Sequence, residues 1–102
     1  MRRVLHLDER KNRSNKAQHG VSFEIAMVVS EDPYHLSRPD REVEGEVRWQ
    51  TIGQTVGTVR GPQVLLVVHT VSEPDESGEE TIRIISARKA TPSERSTYAQ
   101  GL

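Results

Sequence analysis

Cysteine is absent from this chain of 102 residues, so a disulfide framework and a cysteine-based metal site are both excluded. Aromatic residues make up 4% of the sequence and hydrophobic residues 33%, whereas charged residues make up 28%. No segment approaches the apolar length that spans a bilayer, and the N-terminus lacks the long apolar stretch of a signal peptide. These absences predict a soluble, cytoplasmic protein with a small core and a heavily charged shell.

A large excess of charge of one sign is also lacking, since the formal net charge is only −1. The charges are nevertheless unevenly placed. Basic residues dominate the first twenty positions and the segment 83–95, whereas acidic residues dominate the segments 31–46 and 73–80. This distribution predicts a surface polarised between a basic and an acidic side, with ordinary solvated charge as the alternative interpretation.

A chain this short cannot divide its apolar residues between two cores, so we predict a single domain over residues 1–102. Alternation, capping residues and proline positions predict the following elements. They are a short strand near 4–7, helices at about Glu9–Gln18 and from Ser22 to Asp32, a short strand near Tyr34–Leu36, an exposed connection to Glu46, strands at about Val47–Ile52, Val64–Val71 and Thr81–Ala87, and a terminal helix opened by Thr91 and Pro92. This order predicts an α+β fold, with an antiparallel sheet and the helices gathered at one side.

The candidate chemistry centres on the last strand. Alternation along 81–89 puts Arg83, Ile85 and Ala87 on one face of the sheet. An arginine within so apolar a strand needs a partner, either an acid on a neighbouring strand, such as Glu46, or a phosphate. Arg88 and Lys89 follow where the strand ends, a position that suits either solvated charge or a grip on phosphate.

Two further candidates lie in the preceding strands. If Val68 faces the helices, His69 faces the open side, where an imidazole could transfer a proton; a structural hydrogen bond is the alternative. Arg48 is expected on the same open side as Arg83, whereas Trp49 is expected in the core. The four histidines of the chain are dispersed, and no pair of them has the spacing of metal ligands.

Several segments, taken together, resemble the BrnT family of bacterial toxins. They are Lys11-Asn12 with Asn15, His19-Gly20-Val21-Ser22-Phe23-Glu24 with Ala26, Asp32-Pro33, Gly53, Ile82–Ala90, Glu94-Arg95 and Tyr98. The resemblance implies a RelE-like fold with two N-terminal helices and one C-terminal helix. It also implies a ribonuclease that cuts RNA without a metal or other cofactor and so blocks translation, a BrnA-like antitoxin that neutralises it, and binding of the complex to operator DNA through the antitoxin.

The resemblance also points to particular polar residues. We expect His69, Arg83, Arg48 and Glu94 in catalysis, and Arg88, Lys89, His19 and Tyr98 in RNA binding. The arginines and the lysine would hold phosphates and stabilise the charge that develops on them, and His69 or Glu94 would transfer the proton. Gln18 stands where relatives usually carry lysine, and the sequence pI of about 6.4 is low for an RNA-binding domain. A catalytically inactive binding module that acts as antitoxin partner or co-repressor therefore remains the alternative.

Overall fold

A computed structural model describes residues 2–56 and 61–101, with the side chain of Arg2 excepted. Five strands and three α-helices are present in this part of the chain. They are β1 (Arg2–His6), α1 (Glu9–His19), α2 (Phe23–Val28), β2 (Leu36–Val43), β3 (Glu46–Gln54), β4 (Val64–Val71), β5 (Glu79–Lys89) and α3 (Pro92–Gln100), with a 3₁₀ turn at Val29–Glu31 after α2.

The strands form one sheet in the order β1-β5-β4-β3-β2. Strands β2 to β5 make an antiparallel meander, but β1 lies parallel to β5 at the edge. The sheet is therefore mixed, and the expectation of a purely antiparallel sheet is corrected. β2 is the second edge strand, and it occupies much of the segment for which the sequence predicted an exposed connection. The α+β class itself is confirmed.

One face of the sheet carries the hydrophobic core, and we call it the helix-covered face. Helices α1 and α2 pack against β5 on this side. The core consists of Val21, Phe23, Ala26, Val29, Leu65, Val67, Ile82, Ile84 and Ala87. Phe23, at 1% exposure, is the largest fully buried side chain, and burial of such a ring contributes about 1.5–3 kcal/mol.

Helix α1 is attached to the sheet by amides rather than by apolar contacts. The Nδ2 atom of Asn15 donates to the carbonyl oxygens of Val21 and Ala87, both at 2.8 Å, and its Oδ1 accepts from the backbone N–H of Ala87 at 3.1 Å. Asn12 accepts from the N–H of Phe23 at 2.8 Å. Because both asparagines are buried, these bonds satisfy groups that would otherwise be costly to desolvate. The two bonds between Asn15 and Ala87 fix β5 at the residue before Arg88.

A β-bulge in β5 changes which side chains share a face. Val68 pairs with Ser86, but His69 pairs with Ile84, so Ile85 is the extra residue. Beyond the bulge the alternation is reset, and Ala87 joins Ile84 in the core. The expectation that Ala87 shares a face with Arg83 was therefore wrong. The bulge leaves both Arg83 and Arg88 on the opposite face.

Helix α3 lies on the opposite face of the sheet, so the helices are not gathered at one side as expected. Its Glu94 pairs with Arg88, which points away from the core. The helix contacts β3 and covers one end of this face, where Ile52 and Leu66 are both 4% exposed. A capping box between Thr91 and Glu94 opens the helix. The other end of this face remains uncovered by the described residues.

Candidate functional site

Four arginines lie on the uncovered part of the opposite face, and we call this group, Arg38, Arg41, Arg48 and Arg83, the arginine face. Arg38 and Arg41 come from β2, where they pair with Gln50 and Arg48 of β3. Arg48 precedes Trp49, which pairs with His69, and Arg83 pairs with Thr70 of β4. The sheet register thus sets the four side chains on β2, β3 and β5, with β4 between β3 and β5.

Arg41 and Arg48 stand directly opposite each other in the β2–β3 ladder. Like charges in such cross-strand positions repel, which lowers the stability of the free sheet. The Nε atom of Arg48 is also buried and has no hydrogen-bond partner within residues 2–56 and 61–101. An unsatisfied buried donor of this kind costs free energy in the free protein.

Arg83 forms an ion pair with Glu46, as the sequence had suggested for a structural partner. The side chain of Arg83 is 36% exposed and that of Glu46 is 49% exposed. Glu46 binds Nη2 of Arg83. A guanidinium has five N–H donors in a planar fork, so this contact leaves most of the fork available to a second anion. Arg83 is therefore paired but not sealed from solvent.

Arg88 and Glu94 are occupied with each other. Nη1 and Nη2 of Arg88 donate to the two carboxylate oxygens of Glu94, at 2.8 and 3.0 Å. This hydrogen bonding lowers the pKa of Glu94 from 4.5 to about 2 and raises that of Arg88. A carboxylate with so low a pKa is a weak proton acceptor at neutral pH. Lys89 is exposed at the end of β5.

Tyr98 is likewise engaged. Its hydroxyl donates to Oδ2 of Asp32 at 2.5 Å, and burial together with this bond raises the pKa of Tyr98 to about 12. Asp32 is 3% exposed. The hydroxyl holds α3 in place over the sheet. Tyr98 thus has a structural contact at the covered end of the opposite face, apart from the arginine face.

His69 lies on the helix-covered face, because it alternates with Val67 and Leu65 of the core. The assumption that Val68 faces the helices was wrong. The Nε2 atom of His69 is 2.8 Å from Oγ1 of Thr51, which is 2.6 Å from Oγ of Ser37. Burial lowers the pKa of His69, so the neutral form is favoured. The sheet itself separates this imidazole from the arginine face.

The structure thus brings together only part of the expected site. Arg48 and Arg83 share a face, Arg88 and Glu94 form a separate pair, and His69 lies across the sheet. His19 is the last residue of α1, on the helix-covered side. Arg38 and Arg41 were not among the residues expected at the site. The acidic residues around them led to the prediction of an exposed connection where the structure has β2. No local signal could have found the two residues, because strict alternation puts positions 38 and 41 on opposite faces, and only the bulge between Pro39 and Arg41 places both arginines on one face.

The arrangement suits a ligand with several negative charges. Guanidinium groups match phosphate oxygens in charge and geometry, and their placement on separate strands suits successive groups along a polyanion. In the described part of the chain, no group of three or more His, Cys, Asp or Glu side chains is placed to hold a metal ion. Nor does this part contain a helix that is both long enough and apolar enough to cross a membrane.

Comparisons with known proteins identify the family of this chain. A search of curated proteins found no match. A family model described as the ribonuclease toxin BrnT of type II toxin–antitoxin systems matches residues 7–94. The match extends over β2, β3, β4 and β5, and so includes all four residues of the arginine face. The chain therefore belongs to the BrnT family of ribonuclease toxins.

Proposed function

We propose that this chain is an endoribonuclease that cuts RNA without a metal ion and thereby inhibits translation in the cytoplasm. A BrnA-like antitoxin neutralises it, and the complex reaches operator DNA through the antitoxin. The observation that carries the proposal is the arginine face. Arg38, Arg41, Arg48 and Arg83 share one uncovered surface in a chain whose formal net charge is −1.

The arginines supply the positive charge that a metal provides in other nucleases. As an RNA phosphodiester is cleaved, negative charge grows on the non-bridging phosphate oxygens. Guanidinium donors fixed by the sheet are already oriented towards this charge, so little reorganisation is needed in the transition state. Arg83 and Arg48 would hold the reacting phosphate, while Arg38 and Arg41 on the edge strand would hold a neighbouring one.

The test is cleavage of a labelled RNA by the purified, antitoxin-free protein in the presence of EDTA. We expect cleavage by the wild-type protein, and for Arg83→Ala a rate about 100-fold lower, as for loss of one transition-state donor. Arg13→Ala is the matched control, because Arg13 is an exposed residue of α1 on the other side of the sheet. Intact RNA after incubation with folded wild-type protein would refute the proposal, and so would cleavage that EDTA abolishes.

One observation favours the second candidate, a catalytically inactive partner of the antitoxin. Glu94 is held by Arg88, and His69 lies on the other face, so neither expected proton-transfer group contacts the arginine face. An inactive module would bind RNA or antitoxin through the same arginines but would leave RNA intact. The cleavage assay above, combined with an RNA-binding assay, separates the two candidates.

A further inference from the structure

Cleavage of RNA at the arginine face requires a group that accepts the proton of the attacking 2′-hydroxyl. The polar residues that the sequence suggested are not suited to accept this proton at the arginine face. The pKa of Glu94 is about 2, that of Tyr98 is about 12, and His69 lies on the helix-covered face. Among the described residues, the carboxylate that forms an ion pair with an arginine of this face is that of Glu46, the partner of Arg83.

Glu46 is placed to meet a substrate. It stands at the start of β3, two residues before Arg48, and therefore projects from the same face. One carboxylate oxygen, Oε1, binds Arg83, and Oε2 has no hydrogen-bond partner within the described ranges. The side chain is 49% exposed, so Oε2 can accept a hydrogen bond from a bound molecule.

Arg83 can connect the carboxylate to the scissile phosphate. Its fork of donors can bind Glu46 on one side and phosphate oxygens on another. A nucleotide held in this way has its 2′-oxygen next to the phosphorus atom that Arg83 contacts, and therefore close to Glu46. Positioning of this kind converts an encounter into an intramolecular step.

We infer that Glu46 is the catalytic residue that accepts the 2′-hydroxyl proton, an inference that rests on the proposed ribonuclease function. The 2′-oxygen forms a bond to phosphorus as its proton passes to Glu46. The bond between phosphorus and the 5′-oxygen breaks, and the departing 5′-oxygen takes a proton from solvent water. The products are a 2′,3′-cyclic phosphate and a 5′-hydroxyl, and Glu46 returns its proton to water.

The experiment compares Glu46→Gln with the wild-type protein on the same labelled RNA. Glutamine can still accept a hydrogen bond from Arg83 but cannot take up the proton. We expect the cleavage rate to fall by about 100-fold or more at neutral pH, as is usual when a general base is lost. Binding of an RNA with 2′-O-methyl groups, measured by fluorescence anisotropy, should stay the same or tighten, because a negative charge has been removed.

The pH profile distinguishes proton transfer from a structural role. The deficit of Glu46→Gln should narrow as pH rises, since hydroxide replaces the missing base, whereas a merely structural defect gives the same deficit at every pH. Glu42→Gln is the matched control. Glu42 is exposed on the neighbouring strand, pairs with Val47 and projects from the helix-covered side, so its rate should equal that of wild type.

Two outcomes separate this inference from the proposed function. A wild-type protein that cuts RNA, together with a Glu46→Gln variant that cuts it equally well, overturns the role of Glu46 and leaves the ribonuclease in place. A wild-type protein that cuts no RNA overturns both. Glu46→Asp keeps a carboxylate and should recover part of the lost rate. Such recovery shows that the defect of Glu46→Gln comes from the missing proton acceptor and not from a failure to fold.

Discussion

The hydroxyl of Tyr98 donates a hydrogen bond of 2.5 Å to Oδ2 of Asp32, a residue 66 positions earlier in the chain. The same carboxylate accepts from the backbone N–H groups of Gln54, at 2.8 Å, and Tyr34, at 3.0 Å. Burial alone would raise the pKa of Asp32, but these bonds outweigh it and the pKa is lowered. One buried carboxylate thus joins α3 to the end of β3 and to the loop before β2.

Replacing Tyr98 by phenylalanine should destabilise the protein by about 1–3 kcal/mol, because a charged acceptor loses one of its donors in a buried site. Urea unfolding monitored by circular dichroism measures this loss. Tyr34→Phe is the control, since the Tyr34 side chain is 75% exposed, and it should leave the midpoint unchanged. Equal midpoints for both variants would mean that the Tyr98 bond contributes nothing to stability.

The Arg88–Glu94 pair predicts a dependence of stability on pH. The pKa of Glu94 is lowered from 4.5 to about 2, so the pair stabilises the folded state fully above pH 4.5 and loses this effect as the pH falls towards 2. Glu94→Gln should cost about 1 kcal/mol at pH 7, a value reduced for the partial exposure of Arg88. Below about pH 2 the two proteins should be equally stable, because Glu94 is then protonated.

Thermal unfolding of both proteins between pH 2 and pH 7 checks this prediction. Glu76→Gln, in the exposed loop between β4 and β5, is the control and should follow the wild-type curve. A difference between Glu94→Gln and wild type that stays constant down to pH 2 would contradict the expected linkage to protonation.

The arginine face predicts a steep effect of salt on RNA binding. Each phosphate contact to a single strand contributes about −0.7 to the slope of log affinity against log salt concentration, so four contacts give about −3. Arg41→Gln should make the slope shallower by about 0.7 and weaken binding to all sequences alike. Lys16→Gln, on exposed α1, should leave the slope unchanged. An Arg41→Gln slope equal to that of wild type would remove Arg41 from the interface.

His69 provides a negative prediction about catalysis. The imidazole of His69 lies across the sheet from the arginines. His69→Gln should therefore reduce the rate of RNA cleavage far less than the roughly 100-fold expected for loss of a proton-transfer group. Glutamine can preserve a hydrogen bond to Thr51, so the fold should survive. Single-turnover cleavage at pH 7 measures the effect. A loss comparable to that of Glu46→Gln would return His69 to the reaction.

Sequence reasoning succeeded where the pattern was strong and local. The apolar run Val64–Val71 is a strand with those bounds, and the partner suggested for Arg83 is Glu46. A continuous apolar run predicts a buried strand, because such side chains avoid water. A single arginine within an apolar strand predicts an acidic partner, because an unpaired charge is costly to remove from water. The first residues of the terminal helix were equally informative, because Thr91 and Pro92 open it as expected, with Thr91 as the N-cap.

The failures have a common physical origin in tertiary pairing. β2 is polar along most of its length because it is an edge strand with little to bury, so it gives no hydrophobic signal. The bulge at Ile85 resets the alternation of β5 and depends on the register with β4, which no local pattern encodes. The position of α3 depends on the distant carboxylate of Asp32. The unrecognised strand, the bulge and the position of α3 each led to a wrong placement of residues in the candidate site.

The pairing of β1 with β5 has a consequence for synthesis on the ribosome. β1 is the first strand to leave the ribosome, and among the described strands it pairs only with β5, which is made last. Arg3 can therefore pair with Glu80 only after β5 has been synthesised. Translation adds only about 5–20 residues per second, so the sheet closes late and only after Arg83 has been incorporated. A chain released before β5 lacks both the closing ladder and Arg83. Truncated products of this gene are therefore expected to be harmless to the cell that makes them.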